Sequence, residues 1–413
     1  MDVMTENKVV PKLRFGEFKD DWNNHLLDDI ATFLKGKGIS KSELDDDGKT
    51  ECIRYGELYV YYNELIDEVK SKTNLENLVL SKANDVIIPA SGETQLDIAT
   101  ASCVLRSGIA LGGDLNVIRT ENNGLFLSYY LNSKKKFEIA RLSQGSSVVH
   151  LYASQLKTLK LNLPILPEQQ KIASFLSAVD KKLQQLIKKK ELLEEYKKGV
   201  MQQIFSQELR FKDDNGNSYP NWEEKKLGEF IEVCSSKRVL QEHWKSSGVP
   251  FLRTREIKNL SEKVKFKTPI FISELLFEEL KEKYGVPNVG DILATGVGTI
   301  GELYIVKEND KFYFKDGNVL WFKMNNQLNS IYLAQLFKTK FIRKQLSDNA
   351  SITTVATFTI DGARKTKIVY PCVDEQKKIA NFLSSLDSKV DLLSTQIENT
   401  KSFKKGLLQQ MFV

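Results

Sequence analysis

The stretch "PILPEQQKIASFLSAVDKKLQQLIKKKELLEEYKKGVMQQIF", Pro164 to Phe205, decides the fold because the chain contains it twice. It aligns without a gap to "PCVDEQKKIANFLSSLDSKVDLLSTQIENTKSFKKGLLQQMF", Pro371 to Phe412, at a constant offset of 207 residues. Of the 42 aligned positions, 19 are identical. The chain is therefore built from two copies of one frame.

A second repeat marks the beginning of each half. "LRFGEFKDDWNNHLLDDI", Leu13 to Ile30, matches "LRFKDDNGNSYPNWEEKKLGEF", Leu209 to Phe230, in its L-R-F triplet and in its tryptophan. We call these two stretches the opening segments. The contents between the frames, residues 31–163 and 231–370, look largely unlike each other. Similar frames with different contents are expected of two modules that do the same job on different targets.

Both copies of the repeated stretch predict long helices. Their apolar residues recur at spacings of three and four over five heptad-like steps, which favours a coiled coil over a helix packed only on its own domain. Polar residues interrupt the pattern at Lys190, Lys197, Thr400 and Lys404, and such interruptions fix register at some cost in stability. The apolar positions are Leu176, Val179, Leu183, Leu186, Leu193, Val200 and Ile204 in the first copy, and Leu383, Leu386, Val390, Leu393, Ile397, Leu407 and Met411 in the second.

Two copies of one unit pair their helices most simply across a pseudo-dyad. A dyad perpendicular to the helices makes them antiparallel and puts the modules at opposite ends, whereas parallel pairing would crowd both modules at one end. A helix over residues 168–205 would span roughly 55 Å, which exceeds one turn of B-DNA, about 34 Å. The helix pair would then act as a ruler between two half-sites on DNA.

Composition narrows the class of protein. The 413 residues carry a net charge of +6 with 28% charged residues, which is compatible with a polyanionic partner without requiring one. The four cysteines are isolated and only three histidines occur, which argues against a zinc site and a disulfide framework and fits a reducing compartment. "MDVMTENKVV" has no signal-peptide pattern and no apolar run reaches membrane-spanning length, so we expect a soluble cytoplasmic protein.

One glycine-containing motif resembles the fingerprint of a dinucleotide-binding site. "DILATGVGTIGELYIV", Asp291 to Val306, contains a G-x-G-x-x-G run, which binds dinucleotides only where its last glycine opens a helix. Here "ELYIVK" follows, a β-rich run, and the aligned stretch Asn84 to Ala99 retains only the central glycine, Gly92 opposite Gly298. We therefore interpret the run as a strand, a sharp turn and a second strand in both modules.

The repeated features together resemble the specificity subunit of type I restriction-modification systems. The resemblance rests on the E-Q-x-K-I-A-x-F-L helices from Glu168 and Glu375, on "YKKGVMQQIF" and "FKKGLLQQMF", and on the opening segments, and it covers essentially the whole chain. It implies an α+β fold with two mixed α/β target-recognition domains in a pseudo-twofold repeat, separated by two long helices in an antiparallel coiled coil. The expected boundaries are 1–163 for domain one, 164–206 for the central helix, 207–370 for domain two and 371–413 for the C-terminal helix.

The resemblance also implies a function. The chain would bind double-stranded DNA at a bipartite asymmetric site without being an enzyme itself. It would bind two modification subunits, which methylate adenine, and restriction subunits, which cleave DNA. No cofactor is expected for the chain, whereas its partners would use S-adenosylmethionine, ATP and Mg. The sequence contains no phosphate loop and no methyltransferase tetrapeptide. The alternative is a coiled-coil protein-interaction scaffold without DNA specificity.

Candidate DNA contacts in the first domain follow from residue type, because Arg and Lys suit guanine, Gln suits adenine, and cations and hydroxyls suit phosphates. The loop "LKGKGISKS", Leu34 to Ser42, sets lysines around Gly36 and Gly38, which let the backbone approach a phosphate; a solvated turn is the alternative. His150 is interpreted as a packed or capped residue. The candidates are Lys35, Lys37, Lys41, Arg54, Tyr55, Thr94, Gln95, Gln144 and Ser146.

The second domain offers candidates in "SSKR", "RTREIK", "SDNASITT" and the glycine-containing loop. Arg253 and Arg255 are two residues apart and would share one face of a strand, with a structural salt bridge as the competing role. Residue type alone does not separate base contacts from phosphate contacts. The candidates are Lys237, Arg238, Arg253, Arg255, Thr295, Thr299, Asn349, Ser351 and Thr353.

Four apolar residues near the beginnings of the long helices are candidates for contact with modification subunits. They are Ile172, Phe175, Ile379 and Phe382. Burial beneath the adjacent domain explains them equally well.

Overall fold

A computed structural model describes residues 10–349 and 357–413, with the side chain of Asn349 outside the description. The chain divides into two compact units. The first comprises Met1–Lys188 and Ser394–Val413, and the second comprises Lys189–Leu393. Each unit therefore contains the first part of one long helix and the last part of the other.

The first unit is a mixed α/β domain followed by the beginning of a long helix. Its strands are β1 Asn23–Leu26, β2 Ala31–Lys35, β3 Thr50–Ile53, β4 Leu65–Ile66, β5 Ser71–Thr73, β6 Val79–Leu80, β7 Asp85–Pro89, β8 Ser91–Gly92, β9 Ser102–Val104, β10 Ala110–Leu111, β11 Leu115–Thr120, β12 Val149–His150 and β13 Lys160–Leu163. Its helices are α1 Leu27–Ile30, α2 Gln95–Ile98, α3 Gly124–Ser133, α4 Lys136–Leu142, α5 Ala153–Leu156 and α6 Leu166–Phe205, of which α6 continues into the second unit.

Two sheets form the body of the first domain. The larger has the strand order β2-β11-β7-β9-β4, with β11 antiparallel to both β2 and β7. The smaller has the order β5-β3-β10-β6, in which β3 and β10 are parallel. The central strand β11, "LNVIRT", is rich in β-branched residues and buried over its first four positions, as suits a strand covered on both faces.

The second unit has its own set of elements. Its strands are β14 Glu223–Lys226, β15 Glu232–Cys234, β16 Val249–Leu252, β17 Phe271–Ile272, β18 Ile292–Thr295, β19 Leu303–Ile305, β20 Tyr313–Phe314, β21 Val319–Lys323 and β22 Lys367–Tyr370. Its helices are α7 Thr254–Ser261, α8 Glu274–Tyr284, α9 Ser330–Leu336, α10 Lys340–Asn349, α11 Ile360–Lys365 and α12 Val373–Gln410, of which α12 continues into the first unit.

The two domains share a topology that their sequences do not reveal. The order β15-β21-β18-β19 repeats β2-β11-β7-β9, and the order β17-β16-β20 repeats β5-β3-β10, again with one parallel pair. The ribbon of β14 and β22 repeats that of β1 and β13. The repeat predicted from the frames therefore extends through both domains.

The two long helices run antiparallel, as predicted. In the first unit Asp180 of α6 pairs with Lys404 of α12 at 2.8 Å, and in the second unit Lys197 of α6 pairs with Asp387 of α12. The residue number rises along α6 while that of its partner falls along α12. The predicted apolar positions line this contact: Leu176 lies in one core with Leu407 and Met411, and Val200 and Ile204 lie in another with Leu383 and Leu386.

The glycine-containing stretch of the second domain is a hairpin, and no helix follows its last glycine. Strand β18 pairs antiparallel with β19, and Gly298 and Gly301 lie between them with φ of 78° and 72°. The first domain differs from its predicted strand, turn and strand, because the short helix α2 separates β7 from its partner β9 and Gly92 lies in strand β8. A dinucleotide-binding site of the G-x-G-x-x-G type is excluded, because strand β19 and not a helix follows Gly301.

Substituting two of these glycines separates backbone strain from packing. Gly298→Ala should cost about 1–2 kcal/mol, because its positive φ is unfavourable for alanine while a Cβ there meets nothing within 4 Å. Gly301→Ala should cost clearly more, because a Cβ would lie 2.3 Å from Cδ1 of Leu346. Denaturant unfolding followed by tryptophan fluorescence measures both variants, and equal losses would contradict the packing at Gly301.

Candidate nucleic-acid interface

A buried carboxylate joins the opening segment of the first domain to helix α6. Glu168 has a fully buried side chain and accepts from Arg14 Nε at 2.7 Å and Arg14 Nη2 at 2.8 Å. The indole Nε1 of Trp22 donates to the same carboxylate at 3.4 Å. Hydrogen bonding to Glu168 raises the pKa of Arg14. The carboxylate therefore holds both signature residues of the opening segment.

The second domain repeats this network. Glu375 has a fully buried side chain and accepts from Arg210 Nε at 3.1 Å, Arg210 Nη2 at 2.7 Å and Trp222 Nε1 at 2.8 Å. We call each Arg, Trp and Glu set a carboxylate anchor. The sequence predicted only that these glutamates lie at the beginnings of the two repeated helices. The anchors explain why the L-R-F…W and E-Q motifs occur together in each half.

The glutamine after each anchor glutamate holds a second helix. Gln169 accepts from the backbone N–H of Asn123 at 2.9 Å, and Asn123 caps helix α3 by accepting from Phe126 N. Gln376 likewise accepts from Asn329 N at 2.8 Å at the beginning of α9. In each E-Q pair the glutamate therefore binds the opening segment, and the glutamine binds the beginning of α3 or α9.

The last turns of each long helix pack on the opening segment of the unit in which they end. Phe412 lies 6.5 Å from Trp22 and stacks on Tyr130 at 5.5 Å between ring centroids. Phe205 lies 6.4 Å from Trp222 in the second unit. This accounts for the repeated Q-Q-x-F ending, because each unit needs the end of one long helix and the beginning of the other.

Charged pairs interrupt the apolar contact between the long helices. Asp180 pairs with Lys404, and its equivalent Asp387, at the offset of 207, pairs with Lys197. Burial alone would raise the pKa of Asp387, but hydrogen bonding and attraction from Lys197 outweigh it and the pKa is lowered. Lys197 and Lys404 were predicted as polar interruptions that fix register, and the structure supplies each with an aspartate.

The structure places Arg54 and Tyr55 beside the other loops of the first domain that carry predicted DNA contacts. Arg54 and Tyr55 follow strand β3 and line a cleft of about 520 Å³, which we call the Arg54 cleft. Its other lining residues are Gly38, Ile39, Ser40, Glu43, Gly56, Gly113 and Asp114. Tyr55 and Gly56 also line a neighbouring cleft of about 570 Å³ with Tyr59, Val60, Ser91, Gly92, Glu93, Asp97, Ser147 and Val148. Tyr55 thus connects the lysine loop to the two other predicted loops.

The lysine loop is only partly as predicted. Lys35, Lys37 and Lys41 are exposed, and Lys37 donates to the backbone carbonyl of Asn77 at 2.9 Å. Gly36 does not leave room for a phosphate, because a Cβ there would lie 1.8 Å from the carbonyl oxygen of Gly112. Gly36 instead lets two backbone segments approach each other.

The remaining candidates of the first domain lie on exposed turns. Thr94 caps helix α2, since its hydroxyl accepts from Asp97 N at 3.1 Å, and Gln95 is the exposed first residue of that helix. Gln144 and His150 exchange backbone hydrogen bonds across a turn that exposes Ser146. His150 stacks on Tyr152 at 6.1 Å, which agrees with its interpretation as a packed residue.

Arg253 and Arg255 do not share the face of a strand, which was the condition for their predicted common orientation. Strand β16 ends at Leu252, Arg253 precedes helix α7, and Arg255 lies in that helix, so strand alternation does not apply. Both guanidinium groups bind the buried carboxylate of Glu256: Arg253 Nη2 at 2.8 Å and Arg255 Nη2 at 3.0 Å. The competing salt-bridge role is therefore present for both arginines.

The other candidates of the second domain are dispersed. Lys237 is exposed with its ammonium 5.6 Å from the ring centroid of Tyr284, and Arg238 is exposed and bonded to Asp316 at 3.1 Å. Thr299 is exposed at the hairpin. Thr295 was predicted as a DNA contact, but it is fully buried. Its hydroxyl closes the hairpin by donating to the carbonyl of Thr299 and accepting from Glu302 N. Outside the described residues or side chains lie Asn349, Ser351 and Thr353.

The four predicted partner contacts divide into two classes. Ile172 and Ile379 are buried in the cores of their own units, which agrees with the alternative that was left open for them. Phe175 and Phe382 are partly buried and pack against Phe15 and Phe211 of the opening segments at 5.8 Å and 5.7 Å. Contact with a partner remains a prediction for these two phenylalanines.

Comparison with known proteins identifies the family. The model of the type I restriction modification DNA specificity domain matches residues 19–195 and again residues 219–401. The chain belongs to this family. The two specificity domains coincide with the two halves of the repeat.

Specificity subunits of other organisms are similar to most of the chain. The chain is 26% identical to the type I restriction enzyme MjaVIII specificity subunit of Methanocaldococcus jannaschii, over 94% of this chain and 91% of that one. It is 21% identical to the StySPI specificity subunit of Salmonella potsdam, over 96% and 88%. The fold is similar to that of the S subunit of a type I restriction-modification system from M. genitalium, with a TM-score of 0.62 at 17% identity over 98% and 99%.

Among residues 10–349 and 357–413, no helix combines the length and apolar character needed to cross a bilayer. In the same part of the chain, no group of three or more His, Cys, Asp or Glu side chains is arranged to hold a metal ion.

Removing the charge of one anchor should loosen the opening segment of the first specificity domain. Glu168→Gln leaves Arg14 without its carboxylate and should cost about 2–3 kcal/mol, with faster hydrogen exchange in residues 13–22. Glu17→Gln is the matched control, because Glu17 joins the same segment to Lys171 of α6 through an exposed pair and should change little. Equal exchange in the two variants would contradict the anchor.

Acidification should weaken the helix pair through Asp387. Its pKa is lowered in the folded protein, so its contribution is complete above the unfolded value, about 4, and is lost as the pH falls through the lower folded value. The stability deficit of Asp387→Asn at pH 7 should therefore shrink below about pH 4. Denaturant midpoints of both proteins across this range measure it, and a deficit that does not change with pH would contradict the charge pairing.

Proposed function

We propose that this chain is the DNA-reading specificity subunit of a type I restriction-modification complex. One observation carries the proposal: two specificity domains have the same topology and the same carboxylate anchors, but largely unlike sequences between the frames. Such a pair is suited to hold two readers in equivalent ways while each reads a different sequence. The DNA site would be bipartite and asymmetric, with an unread spacer.

The chain would place catalytic subunits on DNA and would not catalyse a reaction itself. Its proposed partners are double-stranded DNA, two modification subunits that methylate adenine, and restriction subunits that cleave unmodified DNA. Methylation would take place on a base that the partner flips out of the duplex. The chain would need no cofactor, and the partners would use S-adenosylmethionine, ATP and Mg. A protein-interaction scaffold without DNA specificity is not favoured, because both halves match a DNA specificity domain.

Contact with the modification subunits would involve the long helices and the residues around their beginnings. Phe175 and Phe382 support this part of the proposal, because both are partly exposed at equivalent positions of the repeat. Each packs on the phenylalanine of its opening segment. The two equivalent positions would suit two copies of one partner.

Domain exchange tests the proposal. The chain and its modification subunit, expressed together in a methylation-free host, should methylate adenine in one bipartite motif, read by sequencing that detects modified bases. Replacing residues 31–163 by those of a relative should change one half of the motif and leave the other half and the spacer unchanged. The absence of any methylated motif in the wild type would refute the function, and a change in both halves would refute the division of labour.

A further inference from the structure

An arginine followed three residues later by a glutamate occurs at the same place in both specificity domains. "RYGE", Arg54 to Glu57, follows strand β3, and "RTRE", Arg253 to Glu256, follows the equivalent strand β16. In both, the backbone N–H of the arginine donates to the glutamate at 3.1 Å. The two pairs are therefore structural equivalents, although nothing else in the two tetrapeptides matches.

The second-domain arginine is held by its glutamate. Arg253 Nε lies 2.9 Å from Oε2 of Glu256, and Arg253 Nη2 lies 2.8 Å from Oε1. This is a bidentate pair, in which planar guanidinium and carboxylate satisfy each other. The Nε edge of the Arg253 guanidinium is therefore engaged by Glu256.

The first-domain arginine is not held in this way. The hydroxyl of Ser71 donates to Oε1 of Glu57 and so holds this oxygen in place. Arg54 Nε lies 3.9 Å from Oε1, beyond hydrogen-bond reach, and it is a buried atom without a hydrogen-bond partner among the described residues. A buried unsatisfied donor is costly, so the Arg54 guanidinium is not held in a satisfied arrangement in the free protein.

The Arg54 cleft disfavours one of the two ligands that arginine recognises on DNA. Glu43 and Asp114 also line it, and the backbone N–H of Ser40 lowers the pKa of Glu43, so that its carboxylate is charged at neutral pH. Two carboxylates would repel a phosphate. A guanine presents the neutral acceptors O6 and N7 side by side in the major groove, which match a guanidinium without adding negative charge.

We propose that Arg54 reads a guanine in the part of the site bound by the first specificity domain, and that Ser71 keeps Arg54 available by holding Oε1 of Glu57 out of its reach. This inference rests on the proposed function. It distinguishes the two domains, because the equivalent arginine of the second domain is engaged by Glu256. Arg54 is then a specificity residue, and Ser71 is a positioning residue that acts through Glu57.

Two variants test the two parts of the inference. Arg54→Ala should lower discrimination for guanine at one position of one half-site by about tenfold to a hundredfold. Ser71→Ala should lower it in the same position, because the freed Oε1 of Glu57 captures Arg54 as Glu256 captures Arg253. Arg54→Lys, which keeps the charge without the planar pair of donors, should also lose discrimination. Arg106→Ala is the control, because Arg106 belongs to the same domain, pairs with Glu51 and does not line the cleft.

The readout is methylation of a library of sites randomised over both half-sites, with the full chain and its modification subunit. Loss of a guanine preference in one half, with the other half unchanged and with Arg106→Ala like the wild type, supports the inference. An unchanged motif in Arg54→Ala and Arg54→Lys overturns it. A loss of affinity that is uniform across sequences, with a shallower salt dependence, also overturns it, because that result identifies a phosphate contact. A wild-type protein without any motif refutes the proposed function instead.

Discussion

The structure depends on one buried carboxylate at the beginning of each long helix. Glu168 and Glu375 each bind a guanidinium and an indole from a segment 146 to 165 residues earlier in the chain. A carboxylate without solvent is very unfavourable unless its partners are in place, so the anchor forms completely or not at all. It closes each domain by joining its first segment to the helix that follows its last strand. The loops between these two ends are left free to differ.

The helix pair carries the symmetry of the repeat in its charges as well as in its apolar residues. The pair of Asp180 with Lys404 is equivalent to the pair of Asp387 with Lys197 at the repeat offset of 207 residues. A shift of one heptad along either helix would separate both pairs and leave charges in a largely apolar contact, which penalises other registers. The surroundings are not identical, since Lys404 also binds Glu64 whereas Asp387 accepts from Gln335. The charged pair between the helices is therefore the same in both halves, whereas its contacts with the adjacent domains differ.

The sequence predicts the local and the repeated parts of this structure well. Heptad spacing predicts both long helices, and the constant offset predicts their antiparallel pairing. A β-rich run after the last glycine predicts the hairpin at Gly298. These features depend on periodicity or on backbone conformation, which neighbouring residues determine.

The sequence does not predict what depends on distant partners. Thr295 reads as an exposed turn residue and is buried, and Arg253 reads as a strand residue and precedes a helix. The common strand order of the two domains is invisible, because different residues fill equivalent core positions. The anchors are a partial exception. The L-R-F…W and E-Q motifs occur together in both halves, which indicates that they are in contact. That observation would have predicted the pairing of Arg14 and Trp22 with Glu168.

The central claim is that two equivalent domains on one helix pair each contact a separate part of a DNA site. Hydroxyl-radical footprinting of the chain with its modification subunits, on DNA that carries its methylated motif, tests this most directly. The account predicts two protected segments, with domain exchange over residues 31–163 moving protection to new bases in only one of them. A single protected segment that responds as a whole to the exchange would contradict it.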